Sequence, residues 1–304
     1  MARQTLSIMR PKNRQALSRF PALWNGDVMD QRERIAALFD RVADTYDRVG
    51  VDLFQPIAAR LVTEVAPRVG ERVADIGCGR GAALLRLASA VGPSGAAVGL
   101  DLAPQMVAAA AASAAQEGLS VEVMVGDAQD PDLPTESFDI VTASLVLFFL
   151  PEPVAALRAW GELLVNGGRI AVSTFGPNST AWEPVDAVFE PYLPPGMRDA
   201  RTTGKQGPFG SDAGVERLLV DAGFADVCTA VGTVSVRFDD ADHWHRWTMS
   251  TGQRGMWEMV PEAERAAVRA SASRLLDNTR RQNADHRIGF DQSVRYTLGR
   301  RRNR

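Results

Sequence analysis

From Glu71 onward the chain alternates short apolar runs with amphipathic stretches: RVADIG, AALLRLASAV, AAVGLD, APQMVAAAAASAAQEG and SVEVMVGD follow in regular order. Short continuous apolar runs read as strands buried on both faces, and the 3.6-residue spacing between them reads as helix. The order is β-α-β-α-β, which implies a parallel sheet wound with right-handed crossovers. FDIVTASLVLFF, the helix VAALRAWGELL and, after the turn Asn166-Gly167-Gly168, the run RIAVSTF bring the strands to five by Phe175. Within them, Leu145 to Leu150 (LVLFFL) reads as a buried strand end. Ahead of the sheet, Ile35, Leu38, Phe39 and Val42, then Leu53, Ile57, Leu61 and Val65, recur at helical spacing on either side of Gly50, so residues 29–66 form a helical cap. Residues 176–210 are rich in Pro and Gly and read as an active-site loop with a short helix. GVERLLVDAGF and ADVCTAVGTVSVRF resume the helix and strand pattern, residues 239–283 form a Trp-rich helical insertion, and DQSVRYTLGR, residues 291–300, is the last strand.

Composition narrows the class. The chain has 304 residues, 45% hydrophobic and 23% charged, enough for one large α/β domain with additions. A formal net charge of -3 gives no reason to expect a polyanion partner, so nucleic acid is not expected. LVLFFL is far shorter than the roughly 20 residues of a membrane span, and no membrane partner is expected. Two cysteines, Cys78 and Cys228, make no disulfide framework or metal-ligand spacing, which suits a reducing, cytoplasmic setting without a metal. Residues 1–28 carry Arg3, Arg10, Lys12, Arg14 and Arg19 with no continuous apolar segment, so they read as a flexible or docking arm, a route to homo-oligomers. The basic terminus Arg300, Arg301, Arg302 and Arg304 reads as solvated.

The chemistry concentrates where strands end. VADIGCGRGAA sets Gly77, Gly79 and Gly81 directly behind the first strand, the usual ligand cradle of an open parallel sheet. Gly77-x-Gly79-x-x-Ala82 also fits a dinucleotide fingerprint, so the glycines alone do not choose. Asp75 does: a carboxylate here repels a pyrophosphate and attracts a positively charged amino-acid end. Asp101, closing the second strand, is placed for two ribose hydroxyls, and Asp127, after the third, for an exocyclic adenine amine, with the Ala128 N–H beside it.

These residues, with GLD, GDAQDPDLP, FDIVTAS and ELLVNGGRI, resemble class I S-adenosylmethionine-dependent methyltransferases over residues 35–177. The covering segment FDRVADTYD is similar to that of the ubiquinone/menaquinone-biosynthesis subgroup. The resemblance implies an α/β, Rossmann-like seven-stranded sheet of order 3-2-1-4-5-7-6, strand 7 antiparallel, with helices on both faces and a helical lid. It implies a core of residues 67–238 and 284–304 and a lid of residues 239–283 over the acceptor. By position it makes Gly77, Cys78 and Gly79 contacts of the methionine end, Leu102 and Met106 neighbours of Asp101 in the cofactor site, Ser144 the residue beside the methionine moiety, and Tyr46 a cover over the donor.

Methyl transfer from a sulfonium is an in-line displacement in which positioning and exclusion of water do much of the work, and an acceptor that enters protonated benefits from a base. The Asn/Asp-Pro-Pro-aromatic loop of nucleic-acid amine methylation and a magnesium-holding acid are both absent after strand four. Trp182, Tyr192, Trp244 and Trp247 point to an apolar pocket for a small organic acceptor, and His243, His245 and Glu183 are the candidate bases. The reading is transfer of a methyl group to carbon or oxygen of a small apolar metabolite, aromatic, polyketide or prenylated. Two others stay open: a reaction that uses the bound sulfonium without methylating, such as a pericyclic or decarboxylation step, and a binding module.

Overall fold

The computed structural model of the chain describes residues 31–178, 180–194 and 207–302. The arm 1–28, part of the Pro- and Gly-rich loop and Arg304 lie outside the described residues. Strands β1 (Arg72–Ile76), β2 (Ala96–Asp101), β3 (Glu122–Val125), β4 (Phe138–Ser144), β5 (Leu164–Asn178) and β6 (Ala225–Phe238) run in one direction, and β7 (Ile288–Arg300) lies between β5 and β6, antiparallel to both. Their order is β3-β2-β1-β4-β5-β7-β6, as the resemblance implies. β1 is apolar because both of its faces are covered: Val73, Ala74 and Ile76 have no solvent exposure.

The helices follow from local signals. α1 (Gln31–Val42) and α2 (Phe54–Val65) form the cap, and α2 buries Ile57, Leu61 and Val65 along one face. α3 (Leu84–Val91) springs from the glycine loop, while α4 (Pro104–Glu117) starts on a proline and stops at Gly118, whose left-handed backbone returns its N–H to Ala114 and Ala115. α5 (Pro153–Leu163) buries Trp160 completely, its indole N–H donating to the Ala128 carbonyl at 2.7 Å. After β5 come α6 (Glu183–Asp186), a 3₁₀ stretch Ala187–Tyr192, and α7 (Asp212–Asp221), capped by Ser211. The insertion between β6 and β7 is α8 (Ala241–Met249), α9 (Arg254–Met259) and α10 (Glu262–Gln282). Among the described residues, no helix is long and apolar enough to cross a membrane.

Two expectations are corrected. LVLFFL does not prolong strand four: β4 ends at Ser144, Leu145 takes φ +60, and Leu147–Phe149 make a 3₁₀ turn. The reversal is fixed because the Leu145 N–H bonds the Ser173 carbonyl at 3.1 Å and the Ser173 hydroxyl at 3.1 Å. The basic terminus is also not all solvated, since Arg301 folds back on the Leu164 carbonyl and pairs with Glu136 at 2.7 Å.

The glycine loop tests this packing. Gly77 has φ +69, and a Cβ there would lie 2.4 Å from Val146 Cγ2, whereas Gly79, at φ +53, faces open space. Left-handed backbone costs an alanine about 1–2 kcal/mol at either position. Val146 is short and stiff, so Gly77→Ala adds a steric cost that Gly79→Ala does not. Urea unfolding of the unliganded protein will show the larger loss of stability for Gly77→Ala; equal losses would mean that the Val146 wall yields.

Candidate active site

Three strand ends bring the predicted acids to one edge of the sheet. Asp75 closes on the core at 1% exposure, its Oδ1 accepting the Thr142 hydroxyl at 2.7 Å. Burial lifts its pKa from the usual 3.8 to about 7, helped by the Asp101 charge and opposed by the Thr142 and Leu84 hydrogen bonds. Asp101 accepts the Gly79 N–H at 2.8 Å and the Ala103 N–H at 2.9 Å, and burial raises its pKa in spite of them. The loop is thereby stitched to β2, since Gly77 and Cys78 also donate their N–H groups to the Leu100 carbonyl at 2.7 and 2.9 Å. The Cys78 thiol is buried and its pKa is pushed well up by that burial, so it stays a neutral packing group.

Asp127 stands at the outer end of this row. Its Oδ1 accepts the Gln129 N–H at 2.9 Å, and its Oδ2 accepts from Arg32 of α1 at 2.5 Å. Met106 is buried with Ala103 against Val42 and Ala43, so the cap closes directly on the Asp101 loop. Leu102 is half-buried beside them. Asp40 accepts the Gln105 N–H at 2.8 Å, and Arg80 donates to the Ala43 carbonyl.

A cavity of about 60 Å³ lies under the cap, lined by Tyr46, Asp75, Gly77, Cys78, Gly79 and Ser144 from the sequence reading. Asp47, Phe54, Arg80, Ala82, Ala83 and Leu145 complete the wall. Tyr46 lies in the turn after α1, stacked on Phe54 at 4.5 Å, and burial raises its pKa. Two wall residues, Asp47 at φ +58 and Leu145 at φ +60, hold left-handed backbone without being glycine. Gln55 grips Asp47 at 2.6 Å, and Ser173 grips both Leu145 and the Ser144 hydroxyl, the latter at 3.1 Å. Sequence reasoning missed Asp47, although it adjoins Tyr46, and Arg80, although it stands inside the glycine loop. Arg32, Thr142 and Ser173 carry no local signal.

The other half of the sequence reading fares differently. Trp182 lies on Phe290 at 4.3 Å and Phe238 at 5.9 Å, Trp247 on Phe238 at 5.2 Å, and Trp244 on Trp257 at 5.9 Å. These indoles are buried in the main hydrophobic core, where it meets β6, β7 and the insertion, and none lines the cavity. Tyr192 donates to Glu264 at 2.7 Å. Glu183 stands exposed on the first turn of α6. The His243 ring has Nε2 2.7 Å from the Val49 carbonyl and Nδ1 3.2 Å from the Asp239 N–H, with the Asp239 carboxylate 3.1 Å away. In the neutral ring Nε2–H donates to Val49 and Nδ1 accepts from Asp239, so both nitrogens are engaged by backbone. His245 packs edge-on against Trp257 at 4.9 Å, and burial, with Arg269 nearby, lowers its pKa. None of the three candidate bases borders the cavity. The aromatic rings of the cavity wall are Tyr46 and Phe54, and Phe39 packs edge-on against Tyr46 at 6.1 Å and Phe149 at 5.7 Å.

A profile described as a methyltransferase domain matches residues 73–168. Nocamycin O-methyltransferase of Saccharothrix syringae is 39% identical over 251 residues, covering 79% of this chain and 89% of its own. The chain belongs to the S-adenosylmethionine-dependent methyltransferases. The methyltransferase is also 44% identical over 144 residues to aklanonic acid methyltransferase of Streptomyces sp. (strain C5), covering 47% of this chain and 66% of that one. Its fold is similar to that of the YcgJ protein of a Bacillus, with TM-score 0.53, 18% identity, and 82% and 99% of the two chains covered. It is likewise similar to phosphoethanolamine N-methyltransferase 2 of Haemonchus contortus, solved with S-adenosyl-L-methionine, at TM-score 0.57, 14% identity, and coverage of 91% and 61%. The cofactor is S-adenosylmethionine, and the residues fit it: a buried acid under glycines, open space beside Gly79, and further acids at the next two strand ends.

Asp75 makes the unliganded methyltransferase sensitive to pH. The folded protein keeps the Asp75 proton up to about pH 7, whereas an unfolded chain releases it near the usual 3.8. The stability this group provides is therefore complete below about pH 4 and is lost as pH rises through 7, by up to about 4 kcal/mol. Asp75→Asn, which keeps an oxygen for Thr142, will raise the melting temperature of unliganded protein at pH 8 and leave it nearly unchanged at pH 4; no gain at pH 8 would mean the carboxylate is solvated.

Proposed function

We propose that this methyltransferase methylates an oxygen of a polyketide-type small molecule, and that the oxygen arrives already ionised, as in a carboxylate. The observation that carries the reading is the position of the candidate bases: His243 is tied to backbone, His245 packs on Trp257, and Glu183 stands on a solvent-exposed turn. An ionised acceptor needs no proton removed, so a site that none of these three candidates borders suits it. The names of the two relatives, an O-methyltransferase and a methyltransferase of aklanonic acid, support the same choice. They weigh against the pericyclic and binding-module readings.

Bound in the cleft, S-adenosylmethionine would supply a methyl group for in-line attack by an acceptor oxygen, with S-adenosylhomocysteine as the leaving group. Asp75 would pair with the ammonium end, and Arg80, which lines the same small cavity, with the carboxylate end. Asp101 would accept from the ribose hydroxyls with lone pairs left free by the Gly79 and Ala103 amides. Asp127 and the Ala128 N–H would receive the adenine edge, on the side where Arg32 holds the Asp127 Oδ2. Tyr46 and Phe54, stacked on each other in the cavity wall, would cover the donor. Their work is to orient the methyl and exclude water rather than to move a proton.

Incubation with polyketide carboxylic acids will yield S-adenosylhomocysteine in equal amount to a base-labile methyl ester, while the matched pre-esterified acids give none. A carbon-methylated product, or an ether formed at a rate that climbs with the ionisation of an enzyme group, would sink the reading. Asp101→Ala will weaken binding of S-adenosylhomocysteine by about 1–3 kcal/mol, read as a ten- to hundredfold rise in Kd by calorimetry; unchanged affinity would remove the ribose assignment.

A further inference from the structure

The two edges of the sheet are built differently. β3 is four residues long and carries Glu122, which is the guarded form of an edge. β6 closes the other side with fourteen residues and pairs only with β7 among the described residues. Its register runs without a shift from Cys228 to Phe238, the one irregularity lying between Ala225 and Cys228. From Val227 to Val236 the sequence VCTAVGTVSV has no charge and no proline, and Arg237 is turned onto Asp285 and Asp291. Val231 is 51% exposed, and Cys228, Thr233 and Ser235 are exposed as well. Half of the backbone N–H and C=O groups along such an edge point away from β7 and are open to another strand. Lysine, proline, a mid-strand bulge and shortness, the devices that blunt an edge, are missing from this stretch.

We infer that β6 is a dimerisation edge, pairing antiparallel with β6 of a second copy of this chain to form one continuous sheet across a two-fold axis. A neutral strand is complementary to itself: reversed against its own copy, VCTAVGTVSV meets no like charge at any register. Two-fold pairing uses both β6 edges at once, and the short, acidic β3 edge stops further growth, so the assembly closes at two chains. The interface lies on the far side of the sheet order from β1 and β2, which carry Asp75 and Asp101, and so leaves the cofactor cleft open.

Sedimentation equilibrium at micromolar concentration tests this directly, with twice the mass of one chain expected for the wild type. Val231→Lys combined with Thr233→Lys sets like charges across the axis and will return the mass to one chain. Its melting temperature and its affinity for S-adenosylhomocysteine will match the wild type, which shows that the subunit is folded. Val69→Lys, at a 76% exposed site away from this edge, will remain dimeric. A wild type that is monomeric throughout, whether its β6 amides exchange freely or are protected by another part of its own chain, overturns the proposal. So does a double variant that stays dimeric.

Discussion

Two buried carboxylates in one cleft are the constraint on which the site depends. Asp75 and Asp101 end neighbouring parallel strands whose register pairs Asp75 with Gly99 and Ile76 with Leu100. Each has its pKa raised first by burial, and Asp101 adds to the rise at Asp75. Folding the βαβ unit thus concentrates negative charge where water is scarce, and the hydrogen bonds from Thr142, Gly79 and Ala103 offset only part of the cost. A ligand that brings an ammonium and a sulfonium together answers that deficit, which couples the stability of the sheet's first half to its cofactor.

Backbone strain marks the same place. Asp47 and Leu145 both line the small cavity, one from the cap and one from the end of β4, and both hold a conformation that a side chain disfavours by about 1–2 kcal/mol. Each is held by a polar group from another segment, Gln55 for Asp47 and Ser173 for Leu145. Such outliers persist where surrounding contacts over-determine them. Here they let the chain turn sharply at the cavity wall instead of running on as the helix or strand its composition favours.

The grouping of the strand-end acids beside the glycine loop was legible because its signals are local. Strand, glycine loop and terminal acid adjoin in sequence, and the apolar periodicity located the strands, whose order the resemblance implied. The acceptor half was not, because aromatic content does not say which way a ring faces. Trp182, Trp244 and Trp247 look alike as pocket wall and as core, and only the packing of β6, β7 and the insertion assigns them to core. Leu145 sits in an apolar run that favours a strand, and the hydroxyl that turns it lies 28 residues on. The bond between His243 and Val49 spans 194 residues, and that between Arg32 and Asp127 spans 95, so neither leaves a pattern at short range.

Those long-range contacts also join the two halves. α1 touches Asp127 through Arg32 and Glu258 of the insertion through Arg41 at 2.8 Å, while the chain just after it is held by His243 of α8 through Val49. Phe39 and Leu38 face Gly252 and Gly255, where an added Cβ would lie within 3.7 and 3.4 Å of them. The exposed ion pairs each contribute little, but the apolar contacts and the buried imidazole bond do not depend on solvent screening. Cap and insertion are therefore one cover with two anchorages. α1 carries Arg32 on Asp127 at one point and Arg41 on Glu258 of the insertion at another, so a shift of α1 at either contact is felt at both.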